Sequence, residues 1–474
     1  MITRSAHFPN LEDAAFDAAR KTITETHCSF CIPRHPCYFP AHITAATGAA
    51  KPMEDRDYRV AFPTRGSILG AAELAALADL VNSEQMLSDG RWRSAFEHRF
   101  RDHVGSRHAL SVTSGTVALE LAIHLADLRP GDEVIATPQT FSATIHPLLD
   151  RDVRVHFCDI DPATLNIDPA QVEATVSDRT AAILLVHYGG YPAEMERIVA
   201  AAHRHGAVVI EDCAHALGAV RHGRRPGALG DIGCFSFHNT KNLTTLGEGG
   251  MLTFDRDEWY VRLDRIRSNQ PDVVCRTPQS PTPPPTPLLP WMRFSGEVYA
   301  YDYAQILRAG TNATMSEAAA AVGIVQLDRL AELAARRREI ARRLDDCLGR
   351  YGQIRLHRPP EGVTHAYHLY TFFVEAGQAA REHLVKALDR SGVEVQLRYF
   401  PLHLTPEWRA RGHRLGECPQ AERLWFDQQV NLPCHPGMTD AQVDYLVEAV
   451  TAALDETLPP TGPTGLDERA AARA

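Results

Sequence analysis

Short apolar segments alternate with segments of helical periodicity through the centre of the chain, and this alternation constrains the fold more than any other feature. Strands are predicted at residues 109–113, 134–137, 153–158, 181–186 and 207–210. Strands separated by helices of about 10–15 residues are typical of a mostly parallel sheet with helices on both faces. The sequence therefore predicts an α/β fold, in which ligands bind at the carboxyl ends of the strands.

Polar residues recur where these strands end, so they are the first candidates for a binding site. Asp159 and Asp212 each follow an apolar strand, and Ser114-Gly115-Thr116 opens a predicted helix. The free N–H groups and the dipole at a helix N-terminus suit a phosphate dianion, although Ser114 as an ordinary helix cap is the alternative. A carboxylate such as that of Asp212 needs a partner when buried, although aspartates at strand ends are more often turn formers.

One lysine, Lys241, lies between two further predicted strands, residues 232–237 and 251–254, and a glycine-rich turn leads into the second of them. Seclusion and nearby positive charge lower the pKa of a lysine, and the neutral amine can then form a Schiff base with an aldehyde. A surface lysine in a β-turn is the commoner alternative. The interpretation of Lys241 therefore depends on the residues upstream.

Composition narrows the class of protein. The chain has 474 residues and a net charge of −10, which argues against nucleic acid as a partner because no basic face would offset the phosphate charge. No apolar run approaches the roughly 20 residues that span a membrane, and the N-terminus lacks the apolar core of a signal peptide. Ten cysteines in so long a chain do not indicate a disulfide framework, so we expect a reduced, cytoplasmic protein.

The first 60 residues carry Cys28, Cys31 and Cys37 among several histidines, which are the ligand types of a zinc site. The second half of this segment lacks the paired spacing of such sites, and its prolines make it loop-like. We therefore predict no metal site and interpret the segment as an arm that packs on the body of the protein or on a partner subunit.

The organisation of the chain follows from shifts in composition and periodicity. Late in the chain, strands are predicted at residues 371–374 and 393–397 and helices at residues 380–390 and 441–454, which indicates a second, smaller α+β domain. The predicted parts are an N-terminal extension (1–60), a large domain (61–315) with a proline-rich insertion (about 272–298), a linking helix with the small C-terminal domain (316–458), and a disordered tail (459–474).

Several motifs, in one order, resemble the DegT–StrS family of sugar aminotransferases. The stretch around Lys241 resembles the family's cofactor-lysine segment, and Glu211-Asp-Cys-Ala-His-Ala resembles its Glu-Asp-Ala-Ala-Gln/His-Ala signature. Gly310-Thr-Asn-Ala-Thr-Met resembles its Gly-x-Asn-x-x-Met segment. The likeness runs from about Phe62 to about Leu454. It implies the aspartate aminotransferase-like fold, type I, of transferases that use pyridoxal 5′-phosphate (PLP).

The resemblance implies a role for each candidate near the cofactor ring. Lys241 would supply the amine for PLP, Asp212 the carboxylate for the pyridine nitrogen, and His215 a side chain near the ring hydroxyl. Phe141, in Pro-Gln-Thr-Phe-Ser-Ala-Thr, would stack on the ring, and Asp159 would help to shape the pocket. Judged without the resemblance, His215 and Phe141 would be interpreted as core residues.

The resemblance also implies a phosphate cradle made of Ser114, Gly115, Thr116 and Ser236. An alternating strand position makes Ser236 equally plausible as a half-buried serine. Asn312 would reach the phosphate of the neighbouring subunit. Each site would then be shared between two chains, so the resemblance implies a homodimer.

The function implied is that of a PLP-dependent aminotransferase. An amino acid, glutamate or glutamine, would donate its amino group. The acceptor would be a nucleotide-linked keto-sugar or a keto-cyclitol, and the reaction would belong to amino-sugar or antibiotic biosynthesis. Lys241 would move protons during both halves of the reaction. Two alternatives are a PLP-dependent sugar dehydratase, in which histidine replaces the lysine, and a PLP-binding regulatory protein without turnover.

Overall fold

The computed structural model describes residues 57–275 and 304–458. Three predicted features lie wholly or largely outside these residues: the N-terminal extension, the proline-rich insertion and the C-terminal tail. Within the two described stretches, no helix combines the length and the apolar character needed to cross a bilayer.

Strands and helices alternate through the first described stretch, as the apolar pattern predicts. The strands are β1 (His108–Val112), β2 (Glu133–Ala136), β3 (Arg154–Phe157), β4 (Thr180–Val186), β5 (Val208–Asp212), β6 (Val220–Arg221), β7 (Ile232–Ser236), β8 (Gly250–Phe254), β9 (Asp272–Cys275), β10 (Ala304–Arg308), β11 (Ile354–Leu356), β12 (Val363–Thr364), β13 (Tyr370–Val374) and β14 (Gln429–Leu432). The helices are α1 (Ala71–Asn82), α2 (Arg91–Val104), α3 (Gly115–Leu125), α4 (Pro169–Thr175), α5 (Met195–Arg204), α6 (Asp257–Arg267), α7 (Glu317–Leu348), α8 (Gln378–Arg390), α9 (Pro406–Arg409), α10 (Pro419–Arg423) and α11 (Asp440–Thr457).

A seven-stranded sheet occupies the centre of the structure, in the strand order β1-β8-β7-β5-β4-β2-β3. The pairings from β7 through β5, β4 and β2 to β3 are parallel. Strand β8 runs antiparallel to both of its neighbours, β7 and β1. The predicted α/β fold with a mostly parallel sheet is therefore confirmed.

Helices cover both faces of this sheet because alternate strand residues point to opposite sides. In β4, Leu184 belongs to the core cluster that includes α3, whereas Ile183 and Leu185 pack with residues of α4 and α5. Near the other end of the sheet, Phe235 of β7 meets Phe100 of α2 with ring centroids 4.9 Å apart. Both faces are thus buried, which explains why the strands read as nearly continuous apolar runs.

The carboxyl ends of the parallel strands meet along one edge of the sheet, and this edge gathers the polar residues of interest. Strand β5 ends at Asp212 and β7 ends at Ser236. Strand β1 runs in the same direction as β7, since both are antiparallel to β8, and it leads directly to Ser114 at the start of α3. Residues far apart in the sequence therefore come together at this edge.

A second, three-stranded antiparallel sheet, in the order β11-β13-β14, forms the smaller C-terminal part together with α8 and α11. The strand predicted at residues 393–397 is wrong: this segment makes two isolated bridges, Val60 with Val393 and Gln396 with Asn431. Its chain turns instead toward the large sheet, where the N–H of Leu402 donates to the carbonyl of Pro138 (2.7 Å). Tertiary contacts here override local strand propensity.

The long helix α7 runs between the two parts and is anchored at its first residue, Glu317. The buried Glu317 carboxylate accepts hydrogen bonds from the N–H groups of Gly90 (2.7 Å), Trp92 (2.8 Å) and Arg93 (3.2 Å). The first N–H groups of a helix lack partners within the helix and favour negative charge, so Glu317 caps α2 as it starts α7.

Candidate active site

Asp212 places a buried carboxylate at the carboxyl edge of the large sheet, where it is 5% exposed. Its Oδ2 accepts the hydroxyl hydrogen of Thr144 (2.7 Å), and its Oδ1 accepts the N–H of Ala214 (2.9 Å). Within residues 57–275 and 304–458, no lysine or arginine forms an ion pair with it. A carboxylate held by two neutral donors keeps free lone pairs, so it can accept a further hydrogen bond from a cationic N–H.

Lys241 lies in the loop after β7, where its N–H donates to the carbonyl of His238 (2.8 Å). Burial is the main reason why the pKa of Lys241 is lowered to about 8; the negative charge of Asp212 opposes this lowering, and the positive charge of Arg398 adds to it. An ordinary lysine with a pKa of about 10.4 is almost wholly protonated at neutral pH. The Lys241 amine is therefore available as a nucleophile and a base.

The loop that carries Lys241 is covered by the start of the described chain. The N–H of Gly66 donates to the carbonyl of Asn239 (2.7 Å), and a Cβ at Gly66 would lie 2.0 Å from the carbonyl oxygen of Thr240. Glycine is required at this position because any side chain would collide with that backbone. The start of the described chain is therefore packed closely against the lysine loop.

Ser114, Gly115, Thr116 and Ser236 lie together, as the resemblance implies. Ser114 caps α3, its hydroxyl accepting the N–H of Val117 (3.2 Å). A Cβ at Gly115 would lie 2.6 Å from the Cβ of Ser236, so the start of α3 packs directly on the end of β7. A helix N-terminus flanked by serine hydroxyls is a site that favours a phosphate.

His215 is the middle ring of a stack at the same edge. Its ring lies 4.2 Å from that of His368 and 5.8 Å from that of Tyr399, with interplanar angles of 15° and 3°. Its Nε2 is 3.2 Å from the Tyr399 hydroxyl, whereas its buried Nδ1 has no hydrogen-bond partner among residues 57–275 and 304–458. Burial, with a smaller contribution from the charge of Lys241, holds the pKa of His215 well below its usual value. His215 is thus a neutral imidazole with one free nitrogen.

The remaining predicted residues have different positions. Phe141 is 53% exposed and its ring lies 6.2 Å from that of Tyr399, so it borders the site without being a core residue. Asn312 is exposed, and its backbone pairs with Ser268. It is not part of the cluster around Lys241 in this single chain.

Asp159 makes its hydrogen bonds outside the residues around Lys241, and its role in shaping the cofactor pocket stays a prediction. Its carboxylate accepts the N–H groups of Ile160 (2.8 Å), Gln420 (2.6 Å) and Ala421 (2.9 Å). These donors lie beside Asp159 and at the N-terminus of α10. The aspartate therefore ties the edge of the large sheet to a helix of the C-terminal part.

Four site residues escaped the sequence-based prediction: Thr144, His368, Arg398 and Tyr399. Thr144 lies in the same motif as Phe141, so the motif itself contained a signal for it. The other three come from the C-terminal part, far along the chain from Lys241, and no local pattern marks them. Their positions follow only from the packing of the two parts of the fold.

A buried cluster of His187, Glu211 and Cys213 has the donor types of a metal site. Its donors are already engaged: His187 Nδ1 accepts the N–H of Ala193 (3.0 Å), so its Nε2 donates to Glu211 (2.8 Å). Burial raises the pKa of the Cys213 thiol well above its usual value, which keeps the thiol protonated. The cluster is a hydrogen-bond network that braces the strand carrying Asp212.

The sequence profile of the DegT/DnrJ/EryC1/StrS aminotransferase family matches residues 67–451. The chain belongs to this family. GDP-perosamine synthase of Caulobacter vibrioides is 32% identical over 383 residues, covering 80% of this chain and 94% of that protein. Spore coat polysaccharide biosynthesis protein SpsC of Bacillus subtilis is 35% identical over 395 residues, covering 81% and 94%. The crystal structure of the aminotransferase TlmJ from Streptoalloteichus hindustanus superposes with a TM-score of 0.72 at 32% identity, covering 83% and 99%.

Membership of the DegT/StrS family confirms two predictions: the chain is a sugar aminotransferase, and its cofactor is PLP. The candidate site fits that cofactor. It offers an amine with a pKa of about 8 (Lys241), a buried carboxylate with free lone pairs (Asp212), an imidazole nitrogen without a partner among the described residues (His215), and a helix N-terminus that is closely packed at Gly115. These features meet the needs of an aldehyde, a pyridine nitrogen, a ring hydroxyl and a phosphate.

The lowered pKa of Lys241 predicts a distinct pH dependence of its reactivity. Only the neutral amine is acylated, so in the apoprotein Lys241 should react with a midpoint near pH 8. An ordinary lysine has a pKa of about 10.4, and the exposed Lys386 serves as the reference lysine. Asp212→Asn should move the Lys241 midpoint lower still, because that carboxylate favours the ammonium form.

Competitive labelling with trace acetic anhydride, followed by mass spectrometry of the peptides, measures both lysines in one sample. Lys386 is the internal control, since its side chain is 73% exposed. If Lys241 and Lys386 showed the same midpoint, the described burial of Lys241 would be contradicted.

Proposed function

We propose that this aminotransferase moves the amino group of glutamate or glutamine onto a ketone. The ketone belongs to a nucleotide-linked keto-sugar or to a keto-cyclitol. The observation that carries the proposal is the meeting of Lys241 and the buried Asp212 at one sheet edge, where the charge of Asp212 acts on the pKa of Lys241. GDP-perosamine synthase, among the relatives, supports the nucleotide-linked sugar. We place the reaction in amino-sugar or antibiotic biosynthesis and in the cytoplasm.

Each residue of the proposed site has a task that follows from its surroundings. PLP, when bound, accepts the amino group of the donor and supplies it to the ketone. Asp212 would hold the proton on the ring nitrogen, and the free Nδ1 of His215 would face the ring hydroxyl. Lys241, with its pKa near 8, would take a proton from the substrate carbon and return it.

The two ends of the cofactor would be held by different elements. The N–H groups at the start of α3, with the hydroxyls of Ser114, Thr116 and Ser236, would bind the phosphate. Phe141, exposed at the border of the site, would cover the ring. This arrangement leaves Lys241 free to act on the substrate.

Two rival functions remain distinguishable by experiment. A sugar dehydratase of related type would carry histidine at the position of Lys241, and a regulatory protein would bind PLP without turnover. The lowered pKa of Lys241 favours a catalytic lysine over both. Release of 2-oxoglutarate from glutamate in the presence of a keto-sugar separates the aminotransferase from the rivals.

Loss of Lys241 should abolish that release. Borohydride should fix the cofactor covalently on the peptide that contains Lys241, and Lys241→Arg should remove both this attachment and the production of 2-oxoglutarate, because arginine stays protonated. Lys386→Arg is the matched control and should behave as the wild type. Normal turnover by Lys241→Arg would refute the role of this lysine.

A homodimer with shared sites is the second part of the proposal. Asn312 is exposed in the single chain, as a residue that serves a neighbouring site would be. Large apolar side chains are also exposed on and after α1, including Leu74 (69%), Val81 (74%), Met86 (65%) and Leu87 (66%). Exposed apolar residues grouped in this way support a surface that a second copy covers.

Mixing two inactive variants tests whether the sites are shared. In a mixed dimer of Lys241→Ala and Asn312→Ala chains, one site would carry both lesions and the other neither. If chains pair at random and the homodimers are inactive, activity should recover toward about a quarter of the wild-type value. Co-refolding followed by the 2-oxoglutarate assay measures this recovery. Activity no greater than that of the separate variants would show that Asn312 does not complete a neighbour's site.

A further inference from the structure

The last residue of α6, Arg267, is an arginine whose guanidinium is buried, with 3% of the residue exposed. One of its nitrogens donates to the Glu97 carboxylate on α2 and to the carbonyl of Ser111 in β1 (2.9 Å). Its other two nitrogens donate to the carboxylate of Asp264 (3.1 and 2.8 Å). A buried charge with this many partners has few other positions, so the guanidinium pins the end of α6 against α2 and β1.

The backbone of the same residue holds the loop that carries Asn312. The carbonyl of Arg267 accepts the N–H of Ala313 (3.0 Å) and the hydroxyl of Thr314 (3.0 Å). Asn312 itself pairs through its backbone with Ser268, the residue that follows Arg267. The position of this loop therefore depends on where α6 ends.

The side chain of Asn312 is left free in this arrangement. Its neighbour Ala313 and the nearby Met315 are each 2% exposed, whereas Asn312 is exposed. Within residues 57–275 and 304–458, the Asn312 amide forms no side-chain hydrogen bond. A fixed backbone with an unused amide is suited to bind a group that lies outside this chain.

We propose that Arg267 is the positioning residue for Asn312. By pinning the end of α6, its guanidinium fixes the loop from which the Asn312 amide binds the phosphate of PLP in the neighbouring subunit. This inference rests on the shared sites of the proposed function. An amide that is already in place loses less freedom on binding, so PLP should be bound more tightly when Arg267 is present.

The alternative is an action on the phosphate cradle of its own chain, since Arg267 also contacts Ser111, three residues before Ser114. Ser111 has other supports: β1 pairs with β8, and Glu97 accepts both the N–H (2.9 Å) and the hydroxyl hydrogen (2.7 Å) of Ser111. The loop of Asn312 places two hydrogen bonds on the single carbonyl of Arg267. The contacts therefore favour an action on the neighbour's site.

A double-mutant cycle on PLP affinity tests whether Arg267 acts through Asn312, without any turnover. Titration of the apoprotein with PLP should show at least about threefold weaker binding to Arg267→Gln than to the wild type. In the Asn312→Ala background the same change should add no further loss, because the amide that Arg267 positions is absent. Arg267→Lys should bind with intermediate affinity, because lysine keeps the charge but not the planar fork. Arg99→Gln, in an exposed pair with Asp328, is the matched control and should bind as the wild type.

A mixed dimer shows whose site depends on Arg267. Arg267→Gln and Asn312→Ala chains with different affinity tags are refolded together, and dimers that carry both tags are isolated. If Arg267 positions Asn312 for the neighbour, each of the two sites carries one lesion, and PLP titration should reveal no site of wild-type affinity. If Arg267 served its own chain, both lesions would fall in one site and the other would bind PLP as the wild type.

Three results would overturn the proposal: unchanged PLP affinity in Arg267→Gln, losses that multiply in the double variant, or one site of wild-type affinity in the mixed dimer. Wild-type affinity in Asn312→Ala is a different result, since it would contradict the shared site itself and this inference with it. Because these measurements need no turnover, a failure to release 2-oxoglutarate would contradict the proposed reaction and leave the PLP comparison readable.

Unfolding curves show whether Arg267→Gln is folded. If it is not, Thr314→Val takes its place in the cycle, because it removes one hydrogen bond to the Arg267 carbonyl and keeps the buried ion pair. Thr314→Val should weaken PLP binding in the wild-type background and not in the Asn312→Ala background, and Thr314→Ser, which keeps the hydroxyl, should restore it. An equal loss in both backgrounds would overturn the proposal.

Discussion

The balance among burial, the carboxylate of Asp212 and the guanidinium of Arg398 around Lys241 is the interaction on which the rest of this site depends. Burial disfavours the ammonium form of Lys241, the carboxylate of Asp212 favours it, and the guanidinium of Arg398 opposes it again. The outcome is a lysine with a pKa of about 8, close enough to neutrality to exist in both forms. Asp212 is held at the end of a central strand, and Gly66 packs closely against the loop that carries Lys241.

The C-terminal part of the chain also contributes to this balance, through the guanidinium of Arg398. The backbone around Arg398 is held by a buried polar network in which the Gln429 side chain donates to the Tyr188 hydroxyl (2.6 Å), and the Gln139 side chain donates to that of Gln429 (2.7 Å). Tyr188 in turn donates to the carbonyl of Arg398. Buried networks of this kind are stable only when their geometry is kept, so they fix where Arg398 and Tyr399 meet the site.

The features that local rules control could be predicted from the sequence. The strands of the large sheet and the helices between them follow from apolar runs and periodicity, and the edge where Asp212 and Ser236 end their strands follows from parallel topology. The segment at residues 393–397 had strand-like composition, yet it makes only isolated bridges, to Val60 and to Asn431 of β14. Composition cannot show such distant pairing.

The same limit applies to single residues of the site. A carboxylate after a strand can face the site, as Asp212 does, or cap a helix, as Asp159 does. The sequence pattern is the same in both cases, and only the neighbouring elements decide. Arg398 lacks even a suggestive pattern, because its importance comes from what surrounds it: a lysine, a stack of rings and no acidic partner in the described structure.

In the proposed site, Asp212 keeps a proton on the ring nitrogen of the cofactor, and Lys241 moves a proton to and from the substrate carbon. The most direct measurement is the ¹⁵N chemical shift of ring-labelled PLP bound to the wild type, to Asp212→Asn and to the exposed control Asp346→Asn. The ring nitrogen should be protonated in the wild type and the control and neutral in Asp212→Asn, because a neutral amide no longer stabilises the positive charge. An equally protonated nitrogen in all three proteins would contradict it.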